Sequence, residues 1–162
     1  MTDFEIIAEI GSAICLPDSK KYRIKIAIND FSLTTEAPLE CKENYCRWSK
    51  RFDATTFSAV YTSVEDLEKI FIYLMDGDSP VCFWKGLVKD FQDPSPQFVW
   101  LPFTGDLSIG TVTDQSKAGM LQVKITVNNK TLNGPLNYKE LAAWKKPPPK
   151  RLTSWKIRAY IY

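Results

Sequence analysis

Two aspartates one residue apart are the part of this sequence best suited to chemistry. Asp76 and Asp78 follow an apolar run at 70–75 that has the length and composition of a buried strand. Carboxylates at a strand end suit a hard divalent cation, which takes several oxygen ligands at about 2.3–2.6 Å. The same Asp-Gly-Asp string is also typical of an exposed turn, and both interpretations stay open at this point.

Basic residues occupy one face of a candidate strand at 22–28. The apolar residues of this run recur at every second position, which is the side-chain period of a strand with one buried face. Lys21, Arg23 and Lys25 therefore share the opposite face.

A second basic face falls on a candidate strand at 45–52. Arg47 and Arg51 are four residues apart, so they point to the same side of that strand. Acidic residues occur in the same stretch of sequence: Glu36, Glu40 and Glu43. The alternative to a binding surface is therefore an ordinary solvated face on which acidic neighbours neutralise the basic side chains.

The composition limits the classes of protein to which this chain can belong. The chain has 162 residues, of which 44% are hydrophobic and 25% charged, and this predicts one domain large enough to bury a core. Five Trp, seven Tyr and nine Phe, together with many Val, Ile and Thr, favour strands over helices. The net charge of +2 is too small to indicate nucleic-acid binding, and we expect no nucleic-acid partner.

The absence of histidine argues against an enzyme. It removes the usual general base at neutral pH, and with it the Ser-His-Asp and Cys-His arrangements. It also removes the commonest zinc ligand, and the four cysteines (Cys15, Cys41, Cys46 and Cys82) lack the spacing of paired zinc knuckles. We expect reduced thiols and no catalytic residues.

Hydropathy predicts a soluble chain. No run approaches 18 consecutive apolar residues, and the first five residues lack the positive charge that opens a signal peptide. We therefore expect a cytoplasmic protein whose membrane role, if any, is peripheral.

Strand signals recur along most of the chain at intervals of roughly ten to twenty residues, which predicts an antiparallel sandwich. The pattern divides the chain into a sandwich at 1–130, a turn or short helix with a proline-rich basic linker at 131–154, and the start of a further strand at 155–162. That last strand either opens a following domain or returns to the same sandwich.

Several motifs resemble those of C2 domains, over residues 3–128. They are the strand YRIKI at 22–26, the Trp and Phe four residues apart in YCRWSKRF at 45–52, the Asp-Gly-Asp loop, FWKG at 83–86, WLPF at 100–103 and AGMLQV at 118–123. The resemblance implies an all-β fold, an eight-stranded antiparallel Greek-key sandwich with a C-terminal extension.

The resemblance also implies a calcium site that is incomplete. In calcium-binding C2 domains the first loop supplies two aspartates, and the third loop supplies an Asp-x-Asp pair and a later aspartate. Here Lys20 corresponds to one first-loop aspartate and Cys82 to the later one, so only Asp18, Asp76 and Asp78 remain as ligands. Because affinity follows the number of charged ligands, we expect weak calcium binding or none, and no other cofactor. A neighbouring lysine can instead pair with one of these carboxylates.

C2 domains use a basic concave surface to bind phosphoinositide head groups, and the resemblance implies such a surface here if the two basic strands lie in one sheet. The implied lipid-binding residues are Lys21, Arg23, Lys25, Arg47 and Arg51. Each basic residue near an anionic leaflet contributes about 1 kcal/mol.

The final segment, WKIRAYIY at 155–162, resembles the entry strand of ferlin C2 domains. The resemblance implies a non-catalytic module of a ferlin-like protein that docks to anionic phospholipids at the cytosolic face of membranes, largely without calcium, in vesicle fusion or trafficking. The alternative is a degenerate C2 sandwich that binds proteins or neighbouring domains of the same parent.

Overall fold

Two antiparallel sheets of five strands each form the part of the chain that the computed structural model describes, which is residues 1–17, 20–59, 69–92, 97–105 and 119–135. The strands, in chain order, are β1 (Thr2–Ile14), β2 (Arg23–Ile28), β3 (Phe31–Thr34), β4 (Glu40–Lys42), β5 (Tyr45–Ala59), β6 (Ile70–Asp76), β7 (Ser79–Gly86), β8 (Val99–Pro102), β9 (Thr104–Gly105) and β10 (Met120–Asn129). Sheet A has the order β4-β5-β1-β10-β8, and sheet B has the order β3-β2-β6-β7-β9.

Each sheet buries the face on which its apolar residues alternate. In β2 the isoleucines at 24, 26 and 28 are buried, and in β6 Ile70, Ile72 and Leu74 are buried opposite them. In sheet A the inward residues of β1 and β10 complete the core, and the most deeply buried of them include Phe4, Ile6, Leu121 and Val123. The two-residue period of a strand therefore decides which side chains form the core.

A tryptophan links the two sheets. Trp48 of β5 is 3% exposed, and its Nε1 donates a hydrogen bond of 3.3 Å to the carbonyl oxygen of Tyr22, directly before β2. The WxxxF spacing identified in the sequence thus places one aromatic side chain in the core, with Phe52 partly buried against it.

The predicted all-β antiparallel sandwich is confirmed. Eight of the described strands have four residues or more, and two short strands, β4 and β9, extend the sheet edges. A short helix, α1 (Lys130–Asn133), follows β10 and is capped by Asn129, whose side chain accepts a hydrogen bond from the backbone N–H of Leu132. The predicted strand at 155–162 and the linker from residue 136 onward lie outside the described residues.

Candidate functional site

The solvent side of sheet B carries one of the two predicted basic groups. Because Ile24 and Ile26 point into the core, Arg23 and Lys25 of β2 point outward. Lys21 lies two residues before the first residue of the strand. Lys21 and Arg23 are exposed and Lys25 is partly buried. Among the described residues, none of the three basic side chains has a carboxylate within ion-pair distance.

Three aromatic side chains lie beside these cations on the same face, and we call Phe71, Tyr73 and Phe83 the aromatic cluster. Tyr73 of β6 is directly opposite Lys25 of β2 on one side and Phe83 of β7 on the other. The ring centroids of Phe71 and Tyr73 are 5.8 Å apart, and that of Phe83 lies 6.3 and 6.4 Å from them. Each of these side chains is partly buried, so the cluster forms an apolar strip on a surface that faces water.

A fourth cation lies at the far side of the aromatic cluster. Lys85 of β7 is directly opposite Phe71, and its Nζ lies 6.0 Å from the centroid of that ring. Lys25 on β2 and Lys85 on β7 therefore flank the cluster from the two strands on either side of β6. The cluster was not predicted from the sequence. The alternation of residues 70–75 contained the signal for it, because every second residue of a strand with one buried face points away from the core.

The other predicted basic group lies on the opposite sheet. The expectation that Arg47 and Arg51 share a sheet with β2 is wrong, because β5 pairs with β1 and β4 in sheet A. Both arginines point to the solvent side of sheet A, and the solvent sides of the two sheets face away from each other. Lys21, Arg23, Lys25, Arg47 and Arg51 therefore do not form one continuous surface.

The two arginines of sheet A are also paired with acids. Arg47 is directly opposite Glu40, and its Nε lies 3.4 Å from Glu40 Oε2. Arg51 is directly opposite Glu9 of β1, and its Nε lies 3.6 Å from Glu9 Oε1. On this face the interpretation of neutralised basic side chains holds.

Glu9 is the centre of a charged triad across three strands. Its side chain is only 4% exposed, and Lys124 of β10, directly opposite on the other side, brings its Nζ to 2.9 Å from Oε2. The Lys124 ammonium and Glu9 Oε2 are not aligned as a hydrogen bond, so they attract each other as two close opposite charges. A buried carboxylate between two cations keeps its charge compensated.

The Asp-Gly-Asp string forms the turn between β6 and β7. Asp76 is directly opposite Ser79, and Gly77 takes a positive φ of 59°, which glycine adopts without steric cost in two-residue hairpin turns. The ammonium of Lys20 lies 3.0 Å from Asp76 Oδ2, so a lysine does pair with a carboxylate of this loop. Asp78 is exposed at the turn, and Asp18 lies outside the described residues.

Cys82 stands where the resemblance places the later aspartate of a calcium site. It is directly opposite Leu74, points into the core and is 1% exposed. Burial raises the pKa of its thiol from 9.0 to about 12, so it stays neutral.

No group of three or more acidic, cysteine or histidine residues that could hold a metal ion occurs in the part of the chain that the structure describes. In the same part, no helix is long and apolar enough to cross a membrane.

Solved structures with a similar fold include C2 domains. The chain matches the calcium-bound A and B C2 domains of extended synaptotagmin 2 with a TM-score of 0.51 and 14% identity, over 76% of this chain and 42% of that one. It matches a longer piece of extended synaptotagmin 2, the SMP domain with the same two C2 domains, with a TM-score of 0.53 and 13% identity, over 78% of this chain and 28% of that one. The chain thus spans less than half the length of either.

A C2 domain-containing protein from a putative elicitor-responsive gene is similar over a larger share of its length. The TM-score is 0.53 and the identity 12%, over 75% of this chain and 86% of that one. No protein-family model matches the sequence, and no curated protein matches it. At these identities the similarity is one of fold, and the fold of this chain is that of a C2 domain.

Proposed function

We propose that this chain is a non-catalytic module that docks to anionic membrane lipids through the solvent side of sheet B. The observation that carries the proposal is the contrast between the two basic groups. Arg47 and Arg51 are paired with Glu40 and Glu9. Among the described residues, Lys21, Arg23 and Lys25 have no carboxylate within ion-pair distance. Unpaired cations keep their charge available for a lipid head group.

The charge of this face supports weak, salt-sensitive binding. Lys21, Arg23 and Lys25 together contribute about 3 kcal/mol at an anionic leaflet, if each contributes about 1 kcal/mol. That corresponds to roughly a hundredfold change in the binding constant. Such a module binds usefully when it adds to other membrane contacts of a longer protein, and its binding falls as salt screens the charges.

The aromatic cluster supports the same face. Tyr side chains favour the membrane–water interface, because the ring is apolar and the hydroxyl is polar. Tyr73 lies directly opposite Lys25, so an aromatic ring and a cation reach the same point of the surface. A head group can then pair with the cation while the rings cover the apolar region beside it.

The proposed binding needs no calcium. The Lys20 ammonium already lies against Asp76, the first carboxylate of the Asp-Gly-Asp loop. A divalent cation at this position would have to displace the Lys20 ammonium.

We place the module in a ferlin-like parent protein that acts in vesicle fusion or trafficking at the cytosolic face of membranes, on the basis of the resemblance of residues 155–162.

Co-sedimentation with vesicles tests the proposal. The full chain is mixed with phosphatidylcholine vesicles that contain either no anionic lipid, phosphatidylserine or a phosphoinositide, each in calcium and in chelator. We expect binding that requires anionic lipid, ignores calcium and weakens with salt. Binding that appears only in calcium would contradict the calcium-independent part of the proposal.

Two double variants with the same loss of charge localise the surface. Arg23→Gln with Lys25→Gln is expected to reduce binding about tenfold or more, because two contributions of about 1 kcal/mol are lost. Arg47→Gln with Arg51→Gln removes the same net charge from the paired face and is expected to leave most of the binding intact. Equal losses in the two variants would overturn the assignment to sheet B.

A protein-docking role is the second candidate, and the aromatic cluster favours it. Aromatic residues are enriched in protein interfaces, and Phe71, Tyr73 and Phe83 form a continuous strip on a solvent-facing sheet. In that case the chain would bind no vesicle in any of the conditions above. The search would then move to protein partners or neighbouring domains of the parent.

A further inference from the structure

Two cysteines face each other across a hairpin that the proposed function does not use. Cys41 of β4 is directly opposite Cys46 of β5, and both are free thiols with their sulfur atoms 2.8 Å apart. The two strands are joined by Glu43 and Asn44, whose φ angles of 48° and 64° are those of a type I′ turn. A two-residue turn of this type fixes the register of the strands that it joins.

The register places the two cysteines where a disulfide fits. Lys42 and Tyr45 flank the turn and form its hydrogen-bonded closing pair. Because hydrogen-bonded and non-hydrogen-bonded pairs alternate along an antiparallel ladder, Cys41 and Cys46 form a non-hydrogen-bonded pair. Such pairs have Cα atoms about 4.5 Å apart, within the window of about 4.4–6.8 Å that a disulfide needs.

The two thiols differ in their access to solvent, and this sets the order in which they react. Cys41 is partly exposed, whereas Cys46 is fully buried at 0% exposure. Burial, with the neighbouring Cys41 as a further cause, raises the pKa of Cys46 from 9.0 to about 12. Cys41 is therefore the thiol that an oxidant reaches first, and Cys46 is the thiol positioned to attack it afterwards.

We propose that Cys41 and Cys46 are a reversible dithiol–disulfide pair that responds to glutathione disulfide. The Cys41 thiolate attacks one sulfur of glutathione disulfide, which forms a mixed disulfide and releases one glutathione. Cys46 then attacks the Cys41 sulfur and releases the second glutathione. Two electrons pass from the two cysteines to glutathione disulfide, the two thiol protons end on the two glutathione molecules, and excess glutathione reverses both steps.

Oxidation also changes a contact outside the hairpin. The carbonyl oxygen of Lys20 lies 2.6 Å from Cys41 Sγ and 3.3 Å from Cys46 Sγ, each in the geometry of an S–H donor. A disulfide has no S–H group, so this carbonyl loses both donors and keeps the backbone N–H of Tyr22. The segment that leads into β2 thereby loses its two thiol contacts with the hairpin but keeps the hydrogen bond from Trp48 Nε1 to the Tyr22 carbonyl. The short loop closed by the disulfide adds little stability.

Thiol mapping of the full chain tests the proposal. The protein is equilibrated in mixtures of reduced and oxidised glutathione, unreacted thiols are alkylated in denaturant, and the chain is digested with trypsin. Because trypsin cleaves after Lys42, Cys41 and Cys46 fall in different peptides and only a disulfide keeps them together. We expect the loss of two thiols per chain, a 41–46 linked peptide, and recovery of both thiols in a reductant.

Matched variants separate this pair from the other cysteines. Cys15→Ser removes an exposed thiol and is expected to leave the 41–46 linkage unchanged, whereas Cys41→Ser is expected to abolish it. The amide resonance of Lys21, whose nitrogen is bonded to the Lys20 carbonyl carbon, is expected to shift on oxidation of the wild-type chain. The proposal is overturned by a lasting Cys41–glutathione adduct with a free Cys46, by a Cys15–Cys41 linkage, or by no oxidation in excess glutathione disulfide.

Discussion

The ammonium of Lys20 lies 3.0 Å from Asp76 Oδ2, and this pair joins the segment before β2 to the end of β6. The side chains are 51% and 49% exposed, so the pair contributes at most about 1 kcal/mol to folding. The pair matters for metal binding, because the Lys20 ammonium lies against the carboxylate of Asp76 that a divalent cation would need as a ligand.

Reversing the charge of Lys20 is expected to create calcium affinity. Lys20→Asp removes the competing ammonium and adds a third carboxylate on the segment whose residue 20 side chain reaches Asp76. We expect a weak site with a dissociation constant of roughly 0.1–1 mM, measured by calorimetric titration with calcium, against no measurable heat for the wild type. The double variant Lys20→Asp with Asp76→Asn should lose the site again. The prediction fails if the wild type binds calcium as tightly as Lys20→Asp.

Neutralising the buried carboxylate of the charged triad is expected to destabilise the sandwich. Glu9→Gln keeps the shape of the side chain but leaves Arg51 and Lys124 facing each other without their counter-charge. Since both cations are partly solvated, we expect a loss of about 1–3 kcal/mol in the free energy of unfolding in urea. Glu40→Gln, at the exposed pair with Arg47, is the matched control and should cost less than about 1 kcal/mol. Equal costs for the two variants would show that burial of Glu9 does not matter.

A methyl group at Gly86 is expected to displace a tryptophan ring. A Cβ atom at this position would overlap the six-membered ring of Trp84, which packs edge-on against Phe91 with ring centroids 5.7 Å apart. Gly86→Ala should therefore lower the free energy of unfolding by about 1–3 kcal/mol and change the near-ultraviolet circular dichroism of the folded chain. Gly77→Ala is the control, since its strain comes from a positive φ with no atom nearby, and it should leave that spectrum unchanged.

Stability is expected to fall at alkaline pH because of buried thiols. The Cys82 thiol keeps its proton up to about pH 12 in the folded chain, whereas in the unfolded chain it loses the proton above about pH 9. The folded state then binds more protons, so its advantage declines as pH rises from 9 toward 12, by roughly 1 kcal/mol per pH unit. Urea midpoints should therefore fall more steeply above pH 9 in the wild type than in Cys82→Ala. Parallel slopes in the two proteins would contradict the assignment.

Local patterns of the sequence predicted much of the fold. The alternation at 22–28 correctly placed Ile24 and Ile26 in the core and Arg23 and Lys25 in solvent. The Trp48 strand and the apolar run at 70–75 were predicted for the same reason, because the period of side-chain burial in a strand is fixed by its backbone.

The candidate site was predicted only in part. Alternation assigns a residue to a face of its own strand but gives no information on which sheet that strand joins. Arg47 and Arg23 therefore looked equivalent in sequence, although β5 and β2 lie in different sheets. The other members of the charged triad, Glu9 and Lys124, come from strands distant in the chain, and no local pattern relates them to Arg51.

The sequence by itself determined the class of fold and the faces of the strands, because both follow from residue type and short-range spacing. The tertiary structure alone decided which of the described basic residues pair with acids, which lysine lies against Asp76, and that Cys41 faces Cys46. The physical reason is that pairing depends on the register of strands brought together by burial of a shared core, and on where the chain crosses from one sheet to the other.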